Sequence, residues 1–220
     1  MLPVTFGIQG APLQRVLAIG AHPDDIEIGC GGTLLALVAG RPALSVYWLV
    51  LSGKGERAAE AEAGAAAFLG PEVDREVVVL GFRDGFFPWS GAAIKEVFEE
   101  LKPTFSPDLI FAPRLSDAHQ DHRLVAELTW NTFRDHLILE YEIPKYEGDL
   151  GAPNLFVPLD DATAARKAEL LLKCFPSQQQ RRWFTPDTFW SLLRLRGLEA
   201  NSPTKYAEGF QVRKLVLPCA

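Results

Sequence analysis

The sequence predicts a three-layer α/β/α sandwich built on a mostly parallel sheet. Three observations carry this expectation: strand-length apolar runs with no polar alternation, a single helix-length segment between successive runs, and glycine or proline at several of the junctions. Strands covered on both faces read as continuous hydrophobic runs, and single intervening helices give right-handed crossovers. RVLAIGA (15–21) is the first strand, and IEIGCGGTLLALVAG (26–40) the first helix, closed by Gly40. LSVYWLVLS (44–52) is the second strand. The Ala- and Glu-rich segment ERAAEAEAGAAAFLG (56–70) is the second helix, stopped by Gly70-Pro71. EVVVLGF (76–82) is a third strand, GAAIKEVFEEL (91–101) a helix and DLIFAP (108–113) a fourth strand, followed by a helix from about His122 to Leu139. Beyond these, LFVPL (155–159) reads as a strand, 161–175 and 186–200 as helices, and FQVRKLVLP (210–218) as a closing strand. The first 140 residues thus form a Rossmann-like core, and residues 1–220 read as a single domain with a C-terminal elaboration over about 141–220.

Composition narrows the functional classes. The chain carries 28 acidic against 22 basic residues, a net charge of -6, and the charges are dispersed. Its densest basic cluster, Arg181-Arg182, is too small for a nucleic-acid footprint. No apolar run reaches the ~18 residues that a bilayer span requires. The opening stretch lacks the charged and apolar regions of a signal peptide, so a cytoplasmic protein without membrane or nucleic-acid partners is expected. Cys30, Cys174 and Cys219 are odd in number and far apart, which suits reduced thiols.

Two polar clusters interrupt this apolar pattern, each at the C-terminal end of a predicted strand. His22-Pro23-Asp24-Asp25 follows the first strand, and 114-RLSDAHQDH-122 follows the fourth. In a sheet wound outward from its first strand the order is 3-2-1-4, so these strands are neighbours, and the crevice beyond their ends is where such folds bind ligands. Three of the four histidines, His22, His119 and His122, therefore converge with Asp24, Asp25, Asp117 and Asp121. Two imidazoles and a carboxylate make a metal site with a position left open for water, and a further carboxylate can act as base. The plainer readings are a helix cap for Asp24 or Asp25 and surface positions for His119 or His122. The joint placement favours the metal. His136 stands alone and takes no role. Gly29, Gly31 and Gly32 lie inside the predicted helix, out of register for a dinucleotide loop, and suit close packing of that helix on the sheet.

With AHPDD at 21–25 and HQDH at 119–122, the chain resembles the PIG-L/LmbE family of metal-dependent N-acetylglucosaminyl deacetylases. Arg57-Ala-Ala-Glu60, the Ala-rich helix after it and Gly81-Phe-Arg-Asp84-Gly extend the likeness over about 15–140, with looser similarity in 140–151 and 206–211. The resemblance implies that His22, Asp25 and His122 bind the metal, Zn²⁺ or another divalent ion such as Fe²⁺. Asp24 would activate the water. His119 would stabilise the tetrahedral intermediate or protonate the leaving amine, and Asp121 would orient a site histidine. Arg57 and Asp84 would contact the sugar. The implied partner is a small-molecule N-acetyl sugar, and self-association common among relatives leaves a homo-oligomer open. Two departures stand out: Ile26 follows the aspartates where many relatives have glutamate, and Asp117 occupies a position where some carry tyrosine. The aromatic stretches 85–89 and 183–190 offer sugar platforms or packing against the sheet. Alternatives are a phosphoesterase, disfavoured by the lack of a phosphate-cradling loop, and a non-catalytic sugar binder, disfavoured by an intact Asp24.

Overall fold

The computed structural model describes residues 7–8, 11–41 and 43–216. A two-residue ribbon pairs β1 (Gly7–Ile8) with β2 (Ala11–Pro12). The main sheet then starts with β3 (Arg15–Gly20) and continues through β4 (Ser45–Val50), β5 (Asp74–Val79), β6 (Leu109–Pro113), β7 (Leu137–Tyr141), β8 (Leu155–Leu159) and β9 (Tyr206–Val212). Its order is β5-β4-β3-β6-β7-β9-β8. The five strands from β5 to β7 run parallel, and β9 and β8 add an antiparallel end. The expected order of the first four strands is thus observed, with β3 beside β6.

Among the described residues six α-helices cover the two faces: α1 (Asp25–Gly40), α2 (Glu56–Leu69), α3 (Gly91–Leu101), α4 (Gln120–Thr132), α5 (Asp161–Cys174) and α6 (Pro186–Glu199). One buried cluster sets Val16, Ala18, Val46, Trp48 and Phe111 of the sheet against α1, α2, α5 and α6. The other sets Leu17, Ile19, Leu49 and Ile110 against α3 and α4. Alternate residues of one strand therefore serve opposite layers, which is why β3 carries no polar alternation. The glycines of α1 do pack closely: a Cβ on Gly29 would strike the Tyr141 ring, one on Gly31 Phe68, and one on Gly32 Leu159. Cys30 is buried in the same helix, and both Cys30 and Cys174 are free thiols. Cys219 lies outside the described residues.

Three expectations need correction. The helix after β6 ends at Thr132 rather than near Leu139, and LILEY forms β7. Its C-terminal N–H, from Phe133, bonds Thr129, and the turn at 134–136 redirects an apolar run into the gap beside β6. The closing strand begins at Tyr206 and stops at Val212; residues 213–216 are irregular, and 217–218 of the expected strand lie outside the described residues. The third strand is shifted to 74–79, although Leu80 and Phe82 still donate to Val50 and Leu51.

Candidate metal centre

The 21–25 turn is held from several sides. Tyr141 donates its hydroxyl to the Ile19 carbonyl at 2.7 Å, and Ser52 donates to the Ala21 carbonyl at 2.9 Å. Asp25 Oδ2 accepts from the N–H groups of Ala21 and His22, both at 2.9 Å, and so closes the turn on itself. Asp24 sits at φ 102°, in the left-handed region that non-glycine residues avoid. Although it occupies the N-cap position of α1, its side chain makes no capping bond. Instead Asp24 Oδ2 receives Arg57 at 2.9 Å, while the same guanidinium donates to Pro23 O and Glu60. The two adjacent aspartates thus point at different partners, and backbone strain at Asp24 accompanies that division.

Three ligand atoms meet at the ends of β3 and β6. His22 Nδ1 lies 3.1 Å from His122 Nε2, His122 Nε2 lies 3.3 Å from Asp25 Oδ2, and His22 Nδ1 lies 3.6 Å from Asp25 Oδ2. Tetrahedral coordination with bonds of about 2.0–2.2 Å sets ligand atoms about 3.3–3.5 Å apart, so this triangle fits a divalent ion with a fourth position open. Ring nitrogens of His22, His119 and His122 also lie within 4.8 Å of one another, as do ligand atoms of His22, Asp84 and Asp121.

Carboxylates fix the far side of each ring. Asp121, fully buried, faces His22 Nε2 at 3.2 Å and also accepts N–H bonds from Gly85 (2.6 Å) and Phe87 (3.1 Å). Exposed Asp84 meets the same His22 nitrogen at 3.0 Å. Asp117 lies 3.1 Å from His122 Nδ1 and accepts Lys145 at 3.0 Å, which in turn reaches Asp149. A carboxylate on the non-ligating nitrogen sets the tautomer and raises ligand basicity. The sequence marks Asp117 as one of the converging carboxylates and as a departure from relatives, but not as the group that orients His122. Lys145 and Asp149 belong to the 140–151 stretch, whose looser similarity to relatives assigns them no role.

His119 caps α4, its Nδ1 accepting from the Asp121 N–H at 3.3 Å, which leaves the proton of its neutral form on Nε2. Burial and the nearby His122 and His22 lower its pKa. Burial pushes the Asp24 carboxyl up to about 7, against the Arg57 charge. Burial pushes His122 down, but Asp25 and Asp117 hold it up at about 9, so a cation in the triangle would displace a proton. Glu27, beneath the turn, is buried with both oxygens unpartnered, and burial lifts it well above the ordinary carboxylate range.

A cavity of about 730 Å³ opens over these groups, lined by His22, Asp24, Asp25, Arg57, Asp84, His119 and His122 but not by Asp117 or Asp121. Of the aromatic stretches, Phe87 is core and stacks on His22 with ring centroids 5.8 Å apart, and Phe184 and Phe189 are core as well. Trp183 lines the cavity, whereas Trp89 is 73% exposed and does not.

Comparison with known proteins gives a consistent result. The family model described as PIG-L, GlcNAc-PI de-N-acetylase, matches residues 17–133. The conserved protein TT1542 from Thermus thermophilus is similar over 94% of this chain and 97% of its own, at 24% identity and a TM-score of 0.70. The N,N'-diacetylchitobiose deacetylase from Pyrococcus horikoshii, solved with an inhibitor, aligns over 91% and 84% at 21% identity and a TM-score of 0.67. GalB, the 4-carboxy-2-hydroxymuconate hydratase of Pseudomonas putida KT2440, aligns over 94% and 100% at 16% identity and a TM-score of 0.66. At these identities the structures establish a shared fold, and the hydratase shows that one fold hosts more than one reaction.

Proposed function

The chain belongs to the PIG-L family, and on that premise we propose that it is a metal-dependent hydrolase that removes the N-acetyl group from a GlcNAc-type sugar or sugar conjugate. One observation carries the reading: His22, His122 and Asp25 form a metal-sized triangle while the adjacent Asp24 stands outside it, facing the same cavity. A binding module has no use for that second carboxylate.

The donor set of two imidazoles and one carboxylate suits Zn²⁺, and Fe²⁺ is accommodated by the same chemistry. When bound, the ion supplies a polarised water and a Lewis acid for the amide carbonyl. The chain's own residues do the rest. Asp24, aimed by Arg57, accepts the proton of the attacking water. His119, with its proton on Nε2, donates to the oxygen of the tetrahedral intermediate or to the departing nitrogen. Asp121 and Asp117 hold the rings of His22 and His122 in place. Asp84 and Arg57 line the cavity and would contact the sugar hydroxyls.

The test is release of free amine from a panel of GlcNAc conjugates by the purified protein, with metal content measured alongside. The expected result is about one divalent ion per chain, with amine release that a chelator abolishes and the ion restores. A chain that binds no divalent ion, or releases phosphate from phosphorylated conjugates and no amine, would overturn the reading.

A further inference from the structure

The ring nitrogens of His22 and His122 that face away from the metal triangle are backed differently. His22 Nε2 meets Asp121 at 3.2 Å and Asp84 at 3.0 Å, and neither carboxylate has a lysine or arginine within 4.0 Å among the described residues. The neutral N–H groups of Gly85 and Phe87 complete the contacts of Asp121. His122 Nδ1 meets Asp117 Oδ2 at 3.1 Å, and that same oxygen accepts Lys145 Nζ at 3.0 Å. One ligand histidine is therefore backed by uncompensated carboxylates, the other by a carboxylate shared with a cation.

Lys145 is built into this position. Its side chain is 8% exposed, and Nζ also reaches both oxygens of Asp149, at 2.9 and 3.0 Å. Asp149 carries a second cation, Arg114 at 3.0 Å, and accepts the Ala118 N–H at 2.7 Å. Along Arg114, Asp149, Lys145 and Asp117 the charges alternate in sign, so Asp149 does not use up the Lys145 charge. Asp117 is seated as well: its Oδ1 accepts the His119 N–H at 2.8 Å, and its backbone carbonyl accepts Arg123 at 3.1 Å. Arg114 and Asp149 would suffice to anchor the loop after β7. The contact with Asp117 is what brings the Lys145 charge to the back of a ligand histidine.

A carboxylate on the non-ligating nitrogen makes the imidazole more basic and tightens its hold on the ion. A cation on the same carboxylate oxygen draws charge away from the ring and opposes that effect. The His122 bond is then weaker, and the ion receives less charge and acts as a stronger Lewis acid. We infer that Lys145 is a positioning residue of the metal centre: through Asp117 it moderates His122 as a ligand, so that the ion is held less tightly and polarises more strongly. The inference rests on the metal-dependent reading for the presence of the ion in the triangle. The pairing of Lys145 with Asp117 and His122 is a property of this chain's own side chains.

The experiment loads wild type, K145Q, K145R, D117N and the K145Q, D117N double variant with Zn²⁺ and follows release of the ion into excess chelator. Circular dichroism checks that each is folded. K145Q keeps a hydrogen-bond donor for Asp117 and removes the charge. It should release Zn²⁺ about tenfold more slowly than wild type, the low end of what groups behind a ligand histidine contribute. Its kcat for amine release from the methyl glycoside of GlcNAc should fall about tenfold, with KM within about twofold. K145R should match wild type in both. A residue that merely braced the loop would give the opposite sign, since a loosened His122 frees the ion faster. In the D117N background K145Q should change release by less than about twofold, because the effect passes through Asp117. If K145Q alone does not fold, K145Q paired with D149N serves, since Arg114 still donates to the Asp149 carbonyl. Release from K145Q at or above the wild-type rate, or an undiminished kcat, would refute the role of Lys145 and leave the deacetylase standing. Slower release from K145Q, with no amine released from any GlcNAc conjugate by the wild type, would uphold that role and refute the deacetylase. A wild type that holds no divalent ion would overturn both.

Discussion

Two clusters of buried charge, one at the middle of the sheet and one toward its antiparallel end, behave differently. At the ends of β3 and β6, His22, Asp24, Asp25 and His122 are largely buried yet turn ligand atoms toward a cavity. Between α1, α5 and β9, Glu208 is equally buried but fully engaged. It accepts the N–H groups of Gly32 (2.8 Å) and Thr33 (2.7 Å), the Thr33 hydroxyl, and Lys167 at 2.5 Å. Lys167 gives another hydrogen bond to Ile28 O, and Arg196 makes a two-pronged pair with Glu142. The second cluster fastens the antiparallel end of the sheet and the helix α1 that carries the site. The difference teaches how to tell function from structure among buried charges: the structural cluster uses its donors and acceptors on itself, whereas the site keeps some of them for a guest.

The largest effect that would break this comparison lies at Asp24. D24N keeps the shape and removes the base, so amine release should fall about a thousandfold. Metal content should stay at its wild-type level, because Asp24 is not one of the three converging ligand atoms. Retained activity, or loss of metal in step with activity, would place Asp24 in a structural role.

The other cluster should answer in the opposite way. K167M leaves Glu208 buried without its cation, and removal of one partner from a buried pair costs about 3–5 kcal/mol. Urea unfolding should show that loss, and pairing K167M with E208L should recover most of it. Where the single variant remains folded, its kcat should match wild type. A stability loss with no recovery in the double variant would mean that the Gly32 and Thr33 contacts of Glu208, not its pairing with Lys167, carry the effect.

The two regions also differ in how far they can be read from residues alone. The parallel half announces itself, since RVLAIG, SVYWLV and LIFAP must be covered on both faces, and the polar interruptions at their ends can only be turn or site. At β7 the residues mislead, because Phe133–His136 contains neither glycine nor proline and LILEY looks like more helix. Its assignment depends on a vacant parallel neighbour beside β6, which is a tertiary fact. In β9, Glu208 interrupts an apolar strand in a way that signals a surface position, and only Lys167, 41 residues away, makes it an interior one. Asp117 is legible as a residue near the site but not as the partner of His122, because its role depends on how α4 begins.

The smallest effect concerns the loop that joins the two regions. Asp149 accepts the Ala118 N–H at 2.7 Å and pairs with Lys145 and Arg114, linking the loop after β7 to Asp117 behind His122. Partial burial raises its carboxyl, but the Ala118 N–H and the two cations outweigh that and hold it down at about 2. The folded-state value lies below the unfolded one, so the carboxylate stabilises the fold. That contribution is present in full above the ordinary carboxylate value of 3.8 and is lost as the pH falls toward about 2. Its size is at most about 2 kcal/mol, from the drop between an ordinary carboxylate at 3.8 and about 2, because solvent beside the loop screens the pairing. The wild type should therefore lose more stability between about pH 5 and about pH 2.5 than D149N, whose curve should be lower at neutral pH and flatter in acid. Parallel curves would show that the loop is anchored without the Asp149 charge. The His122 orientation would then depend on Lys145 and Asp117 alone.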